Sequence, residues 1–324
     1  VDFLCYRICK VLKIKTILIY SHTFFQNYFI NTTSLEDFGQ FKNSIKIRNK
    51  KKIKSNLPNE IIKYKMQRYI EPISMRPPLA ALLPKFYLLF QRSNLKEFFY
   101  DLLKIKKKIS LYKFLKKKIS LKYISDKLPT NYLFFPLQEQ PEASSISYGQ
   151  IIDQAKVCEL ISKKLPKNFV LIIKDHQTQE CTKHRSQFFY NRITSLKNVL
   201  ETNINDDTDK LIKNAKILVT ITGTSGFEAL KHNVPCLSFG DSWFKNFKGV
   251  YKWNKDINIS KIFKVPVSRK SLVKDLKVFI KKLNRGYPFK LNTIWDPKNK
   301  VTNNEDVLSN ETALSIKNIL DKVL

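Results

Sequence analysis

The chain has 324 residues, 43% of them hydrophobic, with only seven glycines and thirteen prolines. That length supports a large core and two domains, and the composition excludes a fibrous or low-complexity chain. A formal net charge of +32, from 59 basic and 27 acidic residues, points to an anionic partner, either nucleic acid or a membrane surface. Lys supplies 50 of the 59 and Arg only 9, which argues against nucleic acid, because phosphates and base edges are read best by the planar guanidinium. Ile, Asn, Phe and Tyr are abundant beside Lys, a chain-wide compositional bias that makes charge a weak guide to function.

Cysteines stand at 5, 9, 158, 181 and 236 with no CxxC pair and no zinc spacing. They read as buried thiols in a reducing, cytoplasmic compartment. No apolar run approaches the ~20 residues that span a bilayer. The opening VDFLCYRICKVLKIK has no initiating Met and reads as the interior of a longer gene product with a shortened front. Basic residues crowd the first part: residues 1–130 carry a net +20 and the remainder +12.

In chain order, KIKTILIYSHTFF predicts a buried strand ending in a polar loop at Ser21 and His22. NKKKIKSNLPNEIIKYKMQRY is a charged stretch turning helical, and residues 94–127 place Phe, Leu and Ile at helical spacing between Lys clusters. That cationic amphipathic segment either packs on a core with snorkelling lysines or contacts an anionic inner membrane face or a polyanionic acceptor. From Asn131 strands and helices alternate: YLFFPLQ, NFVLIIKDHQ, ILVTIT and VPCLSFG as strands, another short strand within ITSLKNVLET, and IIDQAKVCELISKKL, DDTDKLIKNA and GFEALKHN as helices. The rhythm predicts a parallel sheet covered on both faces, with ligands bound beyond the carboxyl ends of its strands. SRKSLVKDLKVFIKKLNRG and ETALSIKNILDKVL are further helices.

Polar clusters sit at those strand ends. In TGTSGFEAL, Ser225 followed by Glu228 at the third position makes a capping box. The same strand, glycine-bearing turn and helix start also expose backbone amides to a phosphate, although neither a Walker loop nor a GxGxxG fingerprint is present. Lys174 and His176 alternate on one face after a strand, a cation and an imidazole suited to a phosphate ester. Gln138, Gln140 and Glu142 in PLQEQPEAS form either a linker or a Pro-bracketed loop for sugar hydroxyls and acid/base chemistry. NDDTD, 205 to 209, is a helix cap rather than a Mg²⁺ site.

Taken in order, FFPLQEQPEASS, LPKNFVLIIKDH, DDTDKLIKNAKILVTITGTSGFEAL, VPCLSFGDSWF and FKGVYKW resemble the capsule polysaccharide synthesis family. Its members are bacterial surface-carbohydrate enzymes similar to capsule Kdo transferases. The resemblance covers about Asn131 to Trp253 and is weak before it. It implies an α/β, GT-B-like fold of two facing Rossmann-like domains with the N-terminal one short or truncated: residues 1–130 on the acceptor side, 131–324 on the nucleotide-sugar side. The implied reaction moves a sugar, Kdo or another acidic sugar, from a nucleotide donor such as a CMP sugar to a polysaccharide or glycolipid acceptor, with no metal and no cofactor. The family's Lys-acidic-His-Pro motif falls on Lys174, Asp175 and His176, with Gln177 in place of Pro. Its turn falls on Gly223, Thr224, Ser225 and Glu228, contacting donor phosphate and ribose, and its Gln-Pro-Glu segment on Gln140, Pro141 and Glu142. In this scheme His176 and Glu142 are catalytic, while Gln138, Gln140, Lys174 and the turn bind substrate. A CDP-glycerol-type transferase or a sugar-nucleotide epimerase would share the turn, and a non-enzymatic polyanion- or membrane-binding protein is the alternative of another class.

Overall fold

A computed structural model of the chain describes residues 2–21, 23–25, 28–46, 55–64, 128–140, 149, 151, 153–176, 179, 185–265, 267–286 and 305–323. In chain order the elements are α1 (Asp2–Val11), β1 (Leu18–Ser21), a 3-10 turn (Thr23–Phe25), β2 (Tyr28–Thr32), α2 (Leu57–Lys63), β3 (Tyr132–Pro136), α3 (Gln154–Ser162), β4 (Val170–Lys174), α4 (Gln187–Thr194) and β5 (Val199–Glu201). There follow α5 (Thr208–Asn214), β6 (Ile217–Thr220), α6 (Ser225–Lys231), β7 (Cys236–Ser238), β8 (Val250–Lys252), α7 (Ile259–Ile262), α8 (Arg269–Ile280), β9 (Asn284–Arg285) and α9 (Glu305–Val323). The molecule divides into two compact units, one within Val1–Tyr69, Ala143–Ile151 and Ile217–Leu324, the other within Ile70–Glu142 and Ile152–Lys216.

The second unit contains β3, β4 and β5, paired in parallel. The reason is legible in YLFFP and VLIIK: consecutive apolar residues, not alternating ones, are what a strand covered on both faces needs. Leu133, Phe134, Phe135, Leu171 and Ile172 are all fully buried, each contributing about 1.5–3 kcal/mol of apolar burial. Helix α3 starts where Asp153 accepts the Lys156 amide, and α5 where Asp207 accepts that of Asp209, so NDDTD is a helix cap. Arg192 on α4 ties that helix to α3 through Asp153 (2.5 Å) and Glu159 (2.6 Å). The β3 to β4 register sets Pro136 opposite Lys174, so the chain leaves both strands at one level. Parallel strands joined through helices make this the expected Rossmann-like α/β fold.

The first unit contains β6, β7 and β8, again parallel. It also holds a small antiparallel sheet in the order β1, β2, β9. Residues 16–20 are half-buried, so the strand foreseen in KIKTILIY exists but is less enclosed than its apolar run suggests. It pairs antiparallel with β2, a strand the sequence did not announce. Phe29 and Ile319 form the core beneath this sheet, flanked by Ile17, Ile19 and Ile45. A second core is aromatic: Trp243 meets Phe25 edge-on at 4.7 Å, Phe227 at 4.8 Å and Phe279 at 5.1 Å between centroids, geometries that add to the plain burial of the rings. Trp253 stacks on Phe239 at 4.6 Å.

Gly226 owes its place to packing rather than to backbone freedom. A Cβ there would lie 2.7 Å from the Phe244 ring and 2.8 Å from Cys236 Sγ, because α6 presses directly onto β7. Ala would gain up to ~1 kcal/mol in helix propensity, but overpacking a closed site costs ~1–3 kcal/mol. Gly226→Ala should therefore lower the urea midpoint with the m-value unchanged.

The thiols divide. Cys5 is exposed and Cys9 half-buried, while Cys158 and Cys236 are buried; Cys181 lies outside the described residues. Burial pushes the Cys158 thiol up to about 12 and raises Cys236 as well. Since the thiolate is the reactive form, an aromatic disulfide reagent at pH 8 should modify Cys5 quickly and Cys158 and Cys236 only on unfolding, as read by mass spectrometry.

Candidate functional site

In the second unit, residues 137–140 and 175–176 follow β3 and β4. Gln138 and Gln140 are held through their backbones. The Gln154 side chain accepts from the Gln138 amide (2.9 Å) and donates to its carbonyl (2.8 Å). Gln179 does the same for Gln140, at 2.6 and 3.1 Å. Each primary amide has both a donor and an acceptor, so one side chain satisfies two backbone groups at once. Arg185 then joins the two loops: it donates to Gln140 Oε1 (2.9 Å), to the Gln138 carbonyl (2.8 Å) and to Asp175 Oδ1 from both Nε (3.1 Å) and Nη2 (2.9 Å). Its face lies 4.9 Å over Phe189.

Asp175 Oδ1 also accepts the His176 amide (2.8 Å), and Oδ2 accepts from the Tyr190 hydroxyl (3.3 Å). Burial first, and the neighbouring carboxylate second, push the Tyr190 hydroxyl well above its ordinary range, so it stays a donor. The His176 carbonyl accepts from Gln179 (3.0 Å). Asp175, His176, Gln179, Gln140 and Arg185 thus close a ring of hydrogen bonds, with half-buried His176 on its edge. Gln154, Gln179, Arg185 and Tyr190 were not foreseen; the Arg185 contacts cross up to 47 positions of sequence, a distance no local pattern spans.

Lys174, the last residue of β4, sends its ammonium to the Asp206 carbonyl and to Thr208 Oγ1 (2.8 Å), securing the start of α5. Glu142 lies outside the described residues, as does the amphipathic segment 94–127. The Arg185 and Asp175 side chains are 3% and 13% exposed, so breaking the pair leaves an uncompensated buried charge, at about 3–5 kcal/mol. Arg185→Gln should destabilise by that order in urea unfolding, and Arg185→Lys, which keeps the charge but loses the fork, by less.

In the first unit the turn 221–224 leaves β6. Thr220 Oγ1 accepts the Gly223 amide at 2.9 Å, folding the chain back onto its strand. Ser238 Oγ donates to the carbonyls of Ile221 (2.9 Å) and Gly240 (2.8 Å), locking the loops after β6 and β7 together. A Cβ at Gly240 would meet Gly149 Cα at 2.5 Å and Thr222 Cγ2 at 2.7 Å, so small residues make the floor. Beside it, Asp241 binds Lys252 (2.5 Å) and Lys245 (3.1 Å). Burial raises that carboxyl, but the hydrogen bonds and charges of the two lysines outweigh it and hold the pKa low.

The expected capping box is not made. Ser225 is the first residue of α6, and Thr224 at the cap position has helical φ −61°, ψ −21° and no side-chain cap bond. A hydroxyl reaches the N2 or N3 amide only from an extended cap residue. Glu228, the other half of the box, turns instead to Lys231, Oε2 to Nζ 2.7 Å. Lys231 also donates to the Tyr64 carbonyl (2.7 Å) and lies 5.7 Å over Phe24.

Two consequences follow for binding. Among the described residues no acceptor takes the amides of Thr224 and Ser225. Among the described residues Glu228 Oε1 is buried without a hydrogen-bond partner. Gly223, Thr224, Ser225 and Glu228 are brought together on one turn, as are Gln138, Gln140 and His176 around the Arg185 ring. Among the described residues no group of three or more His, Cys, Asp or Glu is placed to hold a metal ion.

Parallel strands, crossover helices and small-residue turns at the strand ends define a Rossmann-like α/β protein. The model of the capsule polysaccharide biosynthesis protein family matches residues 93–268, more than half of the chain, and the chain belongs to that family. No curated protein matches the chain. Among solved structures it is similar to the KpsC beta Kdo 2,7 transferase of Thermosulfurimonas dismutans, at 17% identity over 52% of this chain and 51% of that one, TM-score 0.33. It is also similar to the beta Kdo 2,4 transferase of the same source, at 12% identity over 48% and 56%, TM-score 0.34. A third is a UDP-GlcNAc 2-epimerase from Methanocaldococcus jannaschii, at 15% identity over 48% and 46%, TM-score 0.33. The chain spans about half the length of these structures.

Proposed function

We propose that the chain is a glycosyltransferase of capsule polysaccharide biosynthesis, of the GT-B class, moving a sugar from a nucleotide donor to a growing surface polysaccharide. Family membership supports the process. The observation that carries the donor reading is Glu228 Oε1, a buried carboxylate oxygen with no hydrogen-bond partner among the described residues, in a turn where the amides of Thr224 and Ser225 are also untaken. A nucleotide satisfies both at once: a phosphate on the amides of Thr224 and Ser225, with Gly223 admitting it to the backbone, and a ribose hydroxyl donating to Glu228. Lys231 holds the other carboxylate oxygen, and so keeps Glu228 oriented.

In this reading Gln138 and Gln140 meet sugar hydroxyls, their loop fixed by Arg185, Gln154 and Gln179. His176 and Glu142 carry the acid/base work, and Lys174 acts as a positioning residue through residues 206–208. Charge on the departing phosphate is met by amides and basic side chains, so the transfer runs without a divalent ion. The donor of first choice is a CMP-linked acidic sugar such as Kdo. Acceptor recognition is assigned to residues 1–130, and the enzyme works in the cytoplasm.

Calorimetric titration with CMP and UDP tests the donor reading. The unsubstituted chain should bind one of them, and Glu228→Gln and Ser225→Pro, which removes one of the two phosphate-facing amides at the first helical position, should each weaken it about tenfold or more, a loss of ~1.4 kcal/mol. Binding that neither substitution changes, or none at all, would overturn the assignment of the turn. Incubation with a candidate nucleotide sugar and acceptor then separates transfer from epimerisation by product.

A further inference from the structure

Helix α1 leaves a row of large apolar side chains in water. Leu4, Ile8, Val11 and Leu12 are 64%, 48%, 81% and 62% exposed. At 100° per residue they fall within an arc of ~100° on one side of the helix, the width of an apolar face that ordinarily meets a core. Ile14, just past the helix, is also exposed.

This face points outward because the other side is fixed. Tyr6 is 3% exposed, its hydroxyl donates to Glu36 Oε2 at 2.8 Å, and it accepts the Leu35 amide at 3.2 Å. Lys10, on the same side as Tyr6, pairs with Glu36 at 3.8 Å. The helix is docked by its Tyr6 side and cannot roll its leucine face inward without breaking those bonds.

Arg7 is exposed at the edge of the apolar row, and Lys13 and Lys15 are exposed just past the helix. In a chain of net charge +32, a second copy meeting this face would bring like charge against like charge. An anionic lipid surface offers the complement of both features, headgroup charge for the basic side chains and acyl boundary for the leucine row. At ten residues, α1 is about 15 Å long, too short to cross the ~30 Å hydrocarbon core, so it would lie in the plane of the interface.

We infer that α1 is a membrane-docking helix that holds the protein on an anionic lipid surface through Leu4, Ile8, Val11 and Leu12, with Arg7 and Lys13 engaging headgroups. The inference is independent of the nucleotide reading, and neither requires the other. It also concerns a different element from the cationic segment 94–127.

Cosedimentation of the full chain with extruded vesicles tests it, comparing phosphatidylcholine alone with phosphatidylcholine containing 30% phosphatidylglycerol. The expected result is binding to the anionic vesicles only, weakened about tenfold or more by Leu4→Ser/Ile8→Ser/Val11→Ser. Arg7→Gln/Lys13→Gln should weaken it by a smaller factor, as should raised salt, which shortens the screening length. Because Leu4, Ile8 and Val11 are exposed, the serine variant should keep the near-UV circular dichroism and melting temperature of the parent. No binding to anionic vesicles would overturn the inference, and so would binding that both variants leave unchanged, which would place the contact elsewhere. A dimer in analytical ultracentrifugation that the serine variant dissolves would assign the face to a second copy instead.

Discussion

A guanidinium enclosed at the carboxyl ends of two parallel strands governs the second unit. Arg185 must be paired to be there at all, since an isolated buried cation is far too costly, and its partner Asp175 is the residue that also holds the His176 amide. The remaining donors of the fork go to Gln138 and Gln140. One charge-assisted interaction therefore dictates where two separate loops lie, and the glutamine pairs around it complete the satisfaction of their backbones. Such a ring holds its loops in place before any ligand arrives, the preorganisation that the proposed recognition of sugar hydroxyls would require.

The turn after β6 works on the opposite principle. Its base is rigid, with Ser238 bridging two loops and Gly226 letting α6 close on β7, but its upper groups are left unsatisfied. Glu228 is held by one oxygen and open at the other. Buried polar groups are as a rule hydrogen-bonded, and the missing bond is the one that the proposed nucleotide would supply. Within one fold, then, the strand ends divide into a satisfied, self-supporting loop pair and an unsatisfied turn.

The parallel strands were plain in the sequence because continuous apolar runs such as YLFF and ILV have few other uses. The cap within NDDTD, at Asp207, was equally readable, being local; that at Asp153 was not read. The Ser225 and Glu228 box had the right spacing and failed, because Lys231 lies three residues beyond Glu228 and offers a buried charge partner that an amide cannot match. Strand β2 and the two-residue β9 escaped notice, since YFINT gains its strand character from pairing with β1 and β9, and NR from β2 alone. Gln154 looked like an ordinary helix-start residue and Arg185 like one more basic side chain in a basic chain; their roles come from long-range pairing. Helix α1 itself was not read from the sequence, and an apolar periodicity would in any case not say which way a helix face turns.

The pairing of β2 with β9 sets Phe29 opposite Asn284, and Lys46 and Lys282 add further bonds between the same two regions of chain. A ribosome adds ~5–20 residues per second, so the β1–β2 hairpin emerges well over ten seconds before the strand that completes its sheet. A two-stranded hairpin is marginal in water by itself. For that interval its free edge is open to any other extended chain, and the early part of synthesis is the period in which this protein most needs a chaperone's cover.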